Sequence, residues 1–286
     1  MRKILFGLIM AVTATFVGCG TATKVPITGR TQRLLVSDAQ VLSLSNEQYS
    51  SYMKTAKPST NKENTEMVKR VGQKLATAVE QYLNANGYSA DVKNFAWEFN
   101  LVQDYSANAF CMPGGKIVVY EGILPYTKDE PSLAIVLGHE IAHAVAKHSA
   151  EQLSSQLKAQ YGSQILSTVL GQAAGATWQQ IGAAAFSFGS SSLLRNNSRS
   201  NESEADYMGL IFAAMAGYDP SVAVDFWKRM SAGSTTKKPE FFSDHPSDER
   251  RISDIQARLP EALKYYNPAP VATTTKTAKK TTTKKK

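Results

Sequence analysis

The spacing of apolar residues predicts a mainly helical chain with a small sheet. Between Asn64 and Asn86 apolar residues recur every three to four positions, as in an amphipathic helix, and Gly87 ends it. Four more helices are predicted from residues that typically begin and end helices, at 131–157, 201–216, 220–231 and 248–259. Phe95–Leu101 and Lys116–Tyr120 have the composition of strands, and a Pro-Gly-Gly turn precedes the second. These elements predict an α+β fold.

The two ends of the chain differ from this pattern. Two basic residues and a short apolar run precede Cys19, which follows a small residue as in a lipoprotein signal. We therefore expect Cys19 to be acylated and to anchor the protein in the cell envelope. Gly20 offers no acidic inner-membrane retention signal, which favours the outer membrane, facing the periplasm. The expected organisation is a signal peptide at 1–18, a lipid-anchored tether and lead-in at 19–60, one folded domain at 61–266 and a disordered Lys/Thr-rich tail at 267–286.

Net charge does not point to a nucleic-acid partner. The formal charge is +8, but Arg2, Lys3 and six lysines of the tail account for all of it. The body of the protein is therefore neutral, and no basic DNA- or RNA-binding face is predicted. Two cysteines also exclude a disulfide framework. Cys111 is expected to be a small buried apolar residue, with an intermolecular disulfide as the alternative.

The sequence His139-Glu140-Ile141-Ala142-His143 has the spacing of a metal site. Residues four apart lie about one helical turn apart, so both imidazoles point from one face toward a common point. The flanking residues are almost all apolar, which predicts a buried helix in which ionisable groups are costly unless paired. Zinc would pair them. The alternative is a pair of ordinary core histidines.

A catalytic zinc ion needs a third protein ligand and leaves one position for water. A downstream helix begins with Glu202 and Asp206 one turn apart, with Glu204 roughly opposite. Glu202 can bind the metal while Asp206 accepts the second N–H of a ligand histidine. The alternative is an acidic first turn that complements the helix dipole. On a continuous helix His148 would face away from His139, so we expect a surface or helix-end residue there.

Glu140 lies about 100° around the helix from the two histidines, beside the position of a metal-bound water. A carboxylate there can take the proton of the water as it attacks a peptide carbonyl, then pass it to the departing amine. The predicted reaction is peptide hydrolysis with Glu140 as the general base.

Four stretches resemble one known family, the HExxH zinc metallopeptidases that include the CAAX prenyl protease and HtpX, and most of all its soluble lipoprotein branch with LoiP and BepA. The stretches are NAFCMPGGKIVVYEGIL at 108–124, LGHEIAHAVAKHS at 137–149, NESEADYMGL at 201–210 and DHPSDERRI at 244–252. The resemblance implies a zincin-like (gluzincin) domain with one Zn²⁺ per chain. It implies His139, His143 and Glu202 as ligands, Glu140 as base and Asp206 behind a ligand histidine.

Further roles rest mainly on the resemblance. It implies a sheet with a substrate-binding edge strand, formed by Lys116, Ile117, Val118, Val119 and Tyr120, to which an extended substrate adds as a further strand. It also implies that His245 approaches the metal site, as a transition-state stabiliser or an inhibitory ligand, and that Arg251 supports it. A loop histidine is the alternative for His245.

The predicted function is a zinc-dependent endopeptidase acting on unfolded or misassembled envelope proteins. Its expected partners are those substrates, the membrane through the lipid on Cys19, and outer-membrane assembly machinery; no nucleic acid is expected. The alternative is a non-enzymatic periplasmic chaperone or outer-membrane assembly factor with a latent or structural zinc site. Glu140 favours the enzyme, because a purely structural site has no need of a base.

Overall fold

The computed structural model describes residues 20–159, 198–232 and 249–267. The predicted signal peptide, Cys19, His245 and the tail beyond residue 267 lie outside the described residues, so these predictions stay predictions.

The described N-terminal segment, residues 20–55, forms a β-hairpin and a helix that pack onto the domain. Strands β1 (Thr21–Lys24) and β2 (Thr31–Leu34) pair antiparallel. Helix α1 (Asp38–Thr55) follows, with Ser37 and Gln40 forming a capping box at its start. Several apolar residues of this N-terminal segment are buried, among them Val25, which has no exposed surface, and Val41 and Leu44 of α1. Burial of these scattered residues, which lack a clear period, holds the segment in place.

Helix α2 (Lys62–Ala85) confirms the helix predicted from apolar spacing. Its apolar stripe lies in the core, and Asn61 caps its first turn by accepting from the backbone N–H of Asn64. Gly87 follows with φ +87°, the left-handed conformation that commonly ends a helix. A single helical turn, α3 (Ser89–Val92), leads to the sheet.

The sheet has three strands among the described residues, β3 (Glu98–Val102), β4 (Ala109–Met112) and β5 (Lys116–Tyr120). Their order is β3-β5-β4, with β3 parallel and β4 antiparallel to β5. The prediction that Lys116–Tyr120 forms the edge strand is wrong, because β5 pairs on both sides. All five of its residues, Lys116, Ile117, Val118, Val119 and Tyr120, are buried. Strand β4 was not predicted, and it lies at one edge.

Helix α5 (Glu130–Val145) follows the short helix α4 (Leu124–Thr127). Asp129 caps α5 by accepting from the backbone N–H of Ser132, and nearly every residue of α5 is buried. The predicted continuous helix 131–157 is wrong. The chain turns at residues 146–147, where Lys147 has φ +57°, and a new helix, α6, begins at residue 148 and is described to residue 159.

The other helices in the described part of the chain are α7 (Arg199–Met215), α8 (Val222–Ala232) and α9 (Glu249–Ala262), with 3₁₀ turns at Glu121–Ile123 and Leu263–Tyr265. They confirm the predicted α+β, mainly helical architecture. Helix α5 runs through the core and packs against α2, β4 and, most extensively, α7. No helix in the described ranges is both long and apolar enough to cross a membrane.

Candidate metal centre

Helix α5 directs two imidazoles toward one point. His139 and His143 lie one turn apart, and their Nε2 atoms are 3.0 Å from each other. Both side chains are buried, His139 with only 1% of its surface exposed. The apolar run around them explains the burial, since α5 presents no polar face to water. The prediction that the HExxH spacing brings both rings together is confirmed.

Glu202, in the first turn of α7, completes a three-donor group. Its Oε2 lies 3.4 Å from His139 Nε2, and its Oε1 lies 3.3 Å from His143 Nε2. The three ligand atoms all lie within 4.8 Å of one another. Two imidazole nitrogens and one carboxylate are the donor set of a catalytic zinc site, which keeps a fourth position for water. The residues present therefore fit a zinc ion.

The outer contacts of His139 favour its role as a ligand. His139 Nδ1 lies 2.9 Å from Asp206 Oδ1. Arg251 binds the same carboxylate through two hydrogen bonds, Nε to Oδ2 at 2.8 Å and Nη2 to Oδ1 at 2.7 Å. Its guanidinium also lies over the ring of Trp227, 3.7 Å from the centroid. A histidine that donates Nδ1–H to a fixed carboxylate keeps the Nε2 lone pair for a metal.

In the metal-free protein, the pKa values of His139 and His143 are shifted in opposite directions. Burial lowers the pKa of His139, but hydrogen bonds and charge interactions with Asp206 and Glu202 outweigh it and raise the pKa to about 9. Burial lowers the pKa of His143 well below its usual value, and the neighbouring histidines lower it further. Burial opposes ionisation of Asp206, yet Arg251 and His139 hold the pKa of that carboxyl below its usual value.

His148, expected to be a surface or helix-end residue, begins helix α6 but is buried and lies beside the metal centre. Its Nδ1 is 2.9 Å from His143 Nδ1, and its Nε2 is 3.0 Å from Glu204 Oε2. Arg30 donates from Nε to the same Glu204 oxygen at 2.8 Å. Burial opposes ionisation of Glu204, but hydrogen bonds from His148, Arg30 and Thr28 lower its pKa to about 2. In the sequence, the only indications of this contact were His148 itself, soon after the HExxH motif, and Glu204, a second acidic residue in the helix of Glu202.

Glu140 is buried between the ligand histidines in α5. Its carboxylate lies close enough to Cys111 on β4 to raise the pKa of that thiol, although burial contributes more. Cys111 is half-buried and reduced. Because Glu140 lies close to Cys111, the edge strand β4 lies next to the predicted general base, Glu140.

The structure brings five of the predicted site residues together: His139, Glu140, His143, Glu202 and Asp206. Arg251 also lies at the site, where it pairs with Asp206. Its predicted support of His245 involves a residue outside the described ranges and stays a prediction. The predicted substrate strand does not form part of an exposed edge. Lys116 in that strand donates to the carbonyl oxygen of Ala96 at 2.7 Å and pairs with Glu98, which are contacts that hold the sheet together.

Comparison with known proteins gives concordant matches. The sequence profile described as Peptidase family M48 matches residues 63–259. The mitochondrial metalloendopeptidase OMA1 of Schizosaccharomyces pombe is 40% identical over 173 residues, which are 60% of this chain and 49% of that protein. OMA1 of Saccharomyces cerevisiae is 31% identical over 253 residues, 85% of this chain and 70% of that protein. The beta-barrel assembly-enhancing protease of Yersinia pestis is 28% identical over 186 residues, 62% of this chain and 38% of that protein. The chain spans about half the length of the fission yeast and human relatives, 49% and 46%.

Proposed function

The chain belongs to peptidase family M48, and we propose that it is a zinc-dependent endopeptidase. One observation carries the proposal: His139, His143 and Glu202 converge from two helices on a single point, with Glu140 beside them. The positions of Asp206 and Arg251 support it, because two buried charged groups behind one ligand histidine serve to orient that ligand.

Each group then has a defined part in peptide hydrolysis. When bound, zinc supplies the Lewis acidity that activates a water molecule and polarises the scissile carbonyl. Glu140 accepts a proton from that water as its oxygen bonds to the carbonyl carbon, and delivers it to the amide nitrogen as the C–N bond breaks. Asp206 holds the proton on His139 Nδ1, so His139 keeps its Nε2 for the metal.

The substrate is proposed to bind in an extended conformation along β4. Among the described strands, Ala109–Met112 pairs only with β5, so it is the edge of the sheet that lies nearest Glu140. Main-chain hydrogen bonds to such an edge accept many sequences. An enzyme that removes unfolded proteins needs this tolerance.

We further propose that the protein acts in the cell envelope, anchored by a lipid on Cys19 in the outer membrane and facing the periplasm. Its proposed substrates are unfolded or misassembled envelope proteins, and outer-membrane assembly machinery is the proposed partner. The signal-like residues before Cys19 support this location. The name of the Yersinia pestis relative, a beta-barrel assembly-enhancing protease, supports the choice of substrate class.

Cleavage of an unfolded protein such as casein by the purified chain tests the activity. We expect cleavage that a chelator abolishes and added zinc restores. Glu140→Gln is expected to bind zinc normally and to lose activity by about 100-fold or more, because the general base is absent. Glu47→Gln, the same change at an exposed position of α1, is the matched control and is expected to cleave normally.

Two results would overturn the proposal. Cleavage that resists the chelator would indicate another nucleophile. Retention of unfolded protein by the wild-type chain without any cleavage would indicate a chaperone or assembly factor with a structural metal.

A further inference from the structure

A break in the helix that carries the HExxH motif brings His148 back to the metal centre. Lys147 adopts the left-handed conformation with φ +57°, which costs a non-glycine residue roughly 1–2 kcal/mol. Its ammonium group pairs with Asp38 of α1 and Asp91 of α3, each at 2.8 Å, and these ion pairs hold the break in place. Beyond it, His148 is buried with 1% of its surface exposed.

The contact between His143 and His148 determines which ring nitrogens of the two residues carry protons when His143 binds a metal. The Nε2 atom of His143 faces Glu202 and His139, so its lone pair is needed there and its proton must be on Nδ1. His143 Nδ1–H therefore donates across 2.9 Å to His148 Nδ1. His148 then carries its own proton on Nε2 and donates it across 3.0 Å to Glu204 Oε2.

The chain of contacts ends on the N-terminal hairpin. Arg30, between β1 and β2, donates to Glu204 at 2.8 Å and forms an ion pair with Glu151 at 2.6 Å. Thr28 in the same turn also donates to Glu204. Arg30 lies ahead of residue 63, where the match to the family profile begins. Residues outside the recognised domain therefore contact the outer side of the metal centre.

We propose that His148, Glu204 and Arg30 form a support chain that orients His143 as a metal ligand. The arrangement repeats at His143 what Asp206 and Arg251 do at His139: an anion fixed by an arginine holds the proton of a ligand imidazole. At His143 the anion acts through a second imidazole. His148 and Arg30 are thus positioning residues, and the N-terminal hairpin is part of the metal site. This inference rests on the zinc site of the proposed function.

Variants that break the support chain should bind zinc more weakly than the wild-type protein. Outer contacts of ligand histidines typically contribute 10–100-fold to metal binding. In the full-length protein we expect His148→Leu and Arg30→Gln to weaken zinc binding by about that factor in competition with a chromogenic chelator. His148→Gln is expected to recover most of the affinity, because its amide can accept from His143 and donate to Glu204. The visible spectrum of the cobalt-substituted protein should shift in His148→Leu and stay close to wild type in His148→Gln.

Gln32→Ala is the matched control on the same hairpin. Gln32 donates to the carbonyl oxygen of Ala146 at 2.9 Å and so attaches β2 to the end of α5 without touching the support chain. We expect it to lower thermal stability and leave zinc affinity unchanged. If Gln32→Ala weakens zinc binding as much as Arg30→Gln, Arg30 acts only by docking the hairpin, and the proposal fails.

A measurement on the wild-type protein does not depend on how the variants fold. Imidazole ¹⁵N spectra of the zinc-loaded chain are expected to show the proton of His148 on Nε2 and that of His143 on Nδ1. A proton on His148 Nδ1 overturns the support chain. Absence of stoichiometric zinc binding by the wild-type protein would instead overturn the proposed function, so the two failures are distinguishable.

Discussion

Gly138 of α5 and Gly209 of α7 lie in direct backbone contact. A Cβ added at 138 would be 2.7 Å from the carbonyl oxygen of Gly209, and one added at 209 would be 2.7 Å from the backbone nitrogen of His139. Only glycine at both positions permits this approach of the two helices. The contact sets the distance between the His139 helix and the helix that supplies Glu202 and Asp206.

Gly209→Ala is predicted to destabilise the protein and weaken the metal site. Helix propensity alone favours alanine by about 1 kcal/mol. Overpacking against His139 opposes it with a cost of about 1–3 kcal/mol, so we expect a lower unfolding temperature and weaker zinc binding. Ser203→Ala, at an exposed position of the same helix, is the control and should change neither. A stabilised Gly209→Ala protein would show that the helices can separate without loss.

Arg251→Met is predicted to reduce zinc affinity by about 10–100-fold, because Asp206 loses the two hydrogen bonds that hold it against His139. Arg251→Lys should recover only part of the loss, since lysine cannot form the bidentate pair. Chelator competition measures both. Arg250→Met removes the same side chain from the exposed neighbouring position and is expected to bind zinc normally. Equal losses in the two methionine variants would argue against the orienting role of Arg251.

Zinc affinity is predicted to rise with pH up to about 9. In the metal-free protein the pKa of His139 is about 9, so at neutral pH zinc must displace a proton from this ring. Displacement of one proton corresponds to about a tenfold gain in affinity per pH unit between 7 and 9. Competition with a chelator at several pH values measures the slope. A flat profile would show that His139 is already neutral before the metal binds.

The same pKa predicts how the metal-free protein responds to base. The folded value for His139 lies above the ordinary 6.5, so its contribution to stability is complete below about pH 6.5 and is lost as pH rises through about 9. The unfolding temperature of the metal-free chain is therefore expected to fall over this range. His139→Gln, which cannot be protonated there, should reduce this fall, and an unchanged slope would contradict the assignment.

Cys19→Ala is predicted to release the protein from membranes, because the proposed lipid is attached through that sulfur. Fractionation of cells by sedimentation measures this release. Cys111→Ala removes the other cysteine, which lies on β4, and should leave the protein with the membrane fraction. Membrane association that persists in Cys19→Ala would remove the anchor.

Much of the metal site follows from local sequence. The four-residue spacing of His139 and His143 corresponds to one helical turn, so both rings share a face wherever that helix packs. The same reasoning relates Glu202 to Asp206 within α7. Strand β5 was located correctly for a similar reason, since strand-forming residues at 116–120 directly follow a Pro-Gly-Gly turn.

The errors concern contacts between distant segments. Sequence places β5 as a strand but does not say which neighbours it acquires, and the short β4, with its mixed composition, gave no strong strand signal. The turn at Lys147 involves ion pairs with Asp38 and Asp91, which lie far away in the chain. A continuous helix was therefore predicted, and His148 was expected at the surface or at a helix end, away from the metal centre.

Local sequence was sufficient to predict the helical architecture, the HExxH histidine pair and the acidic helix that contributes Glu202, because helical periodicity and ligand chemistry are local properties. The contacts between elements came from the structure: Arg251 binds Asp206, Gly138 contacts Gly209, and His148, Glu204 and Arg30 lie behind His143. Each of these contacts joins residues on different elements, and its existence depends on how those elements pack and where a helix breaks. Such packing depends on many weak interactions summed over the whole core, which no short segment of sequence contains.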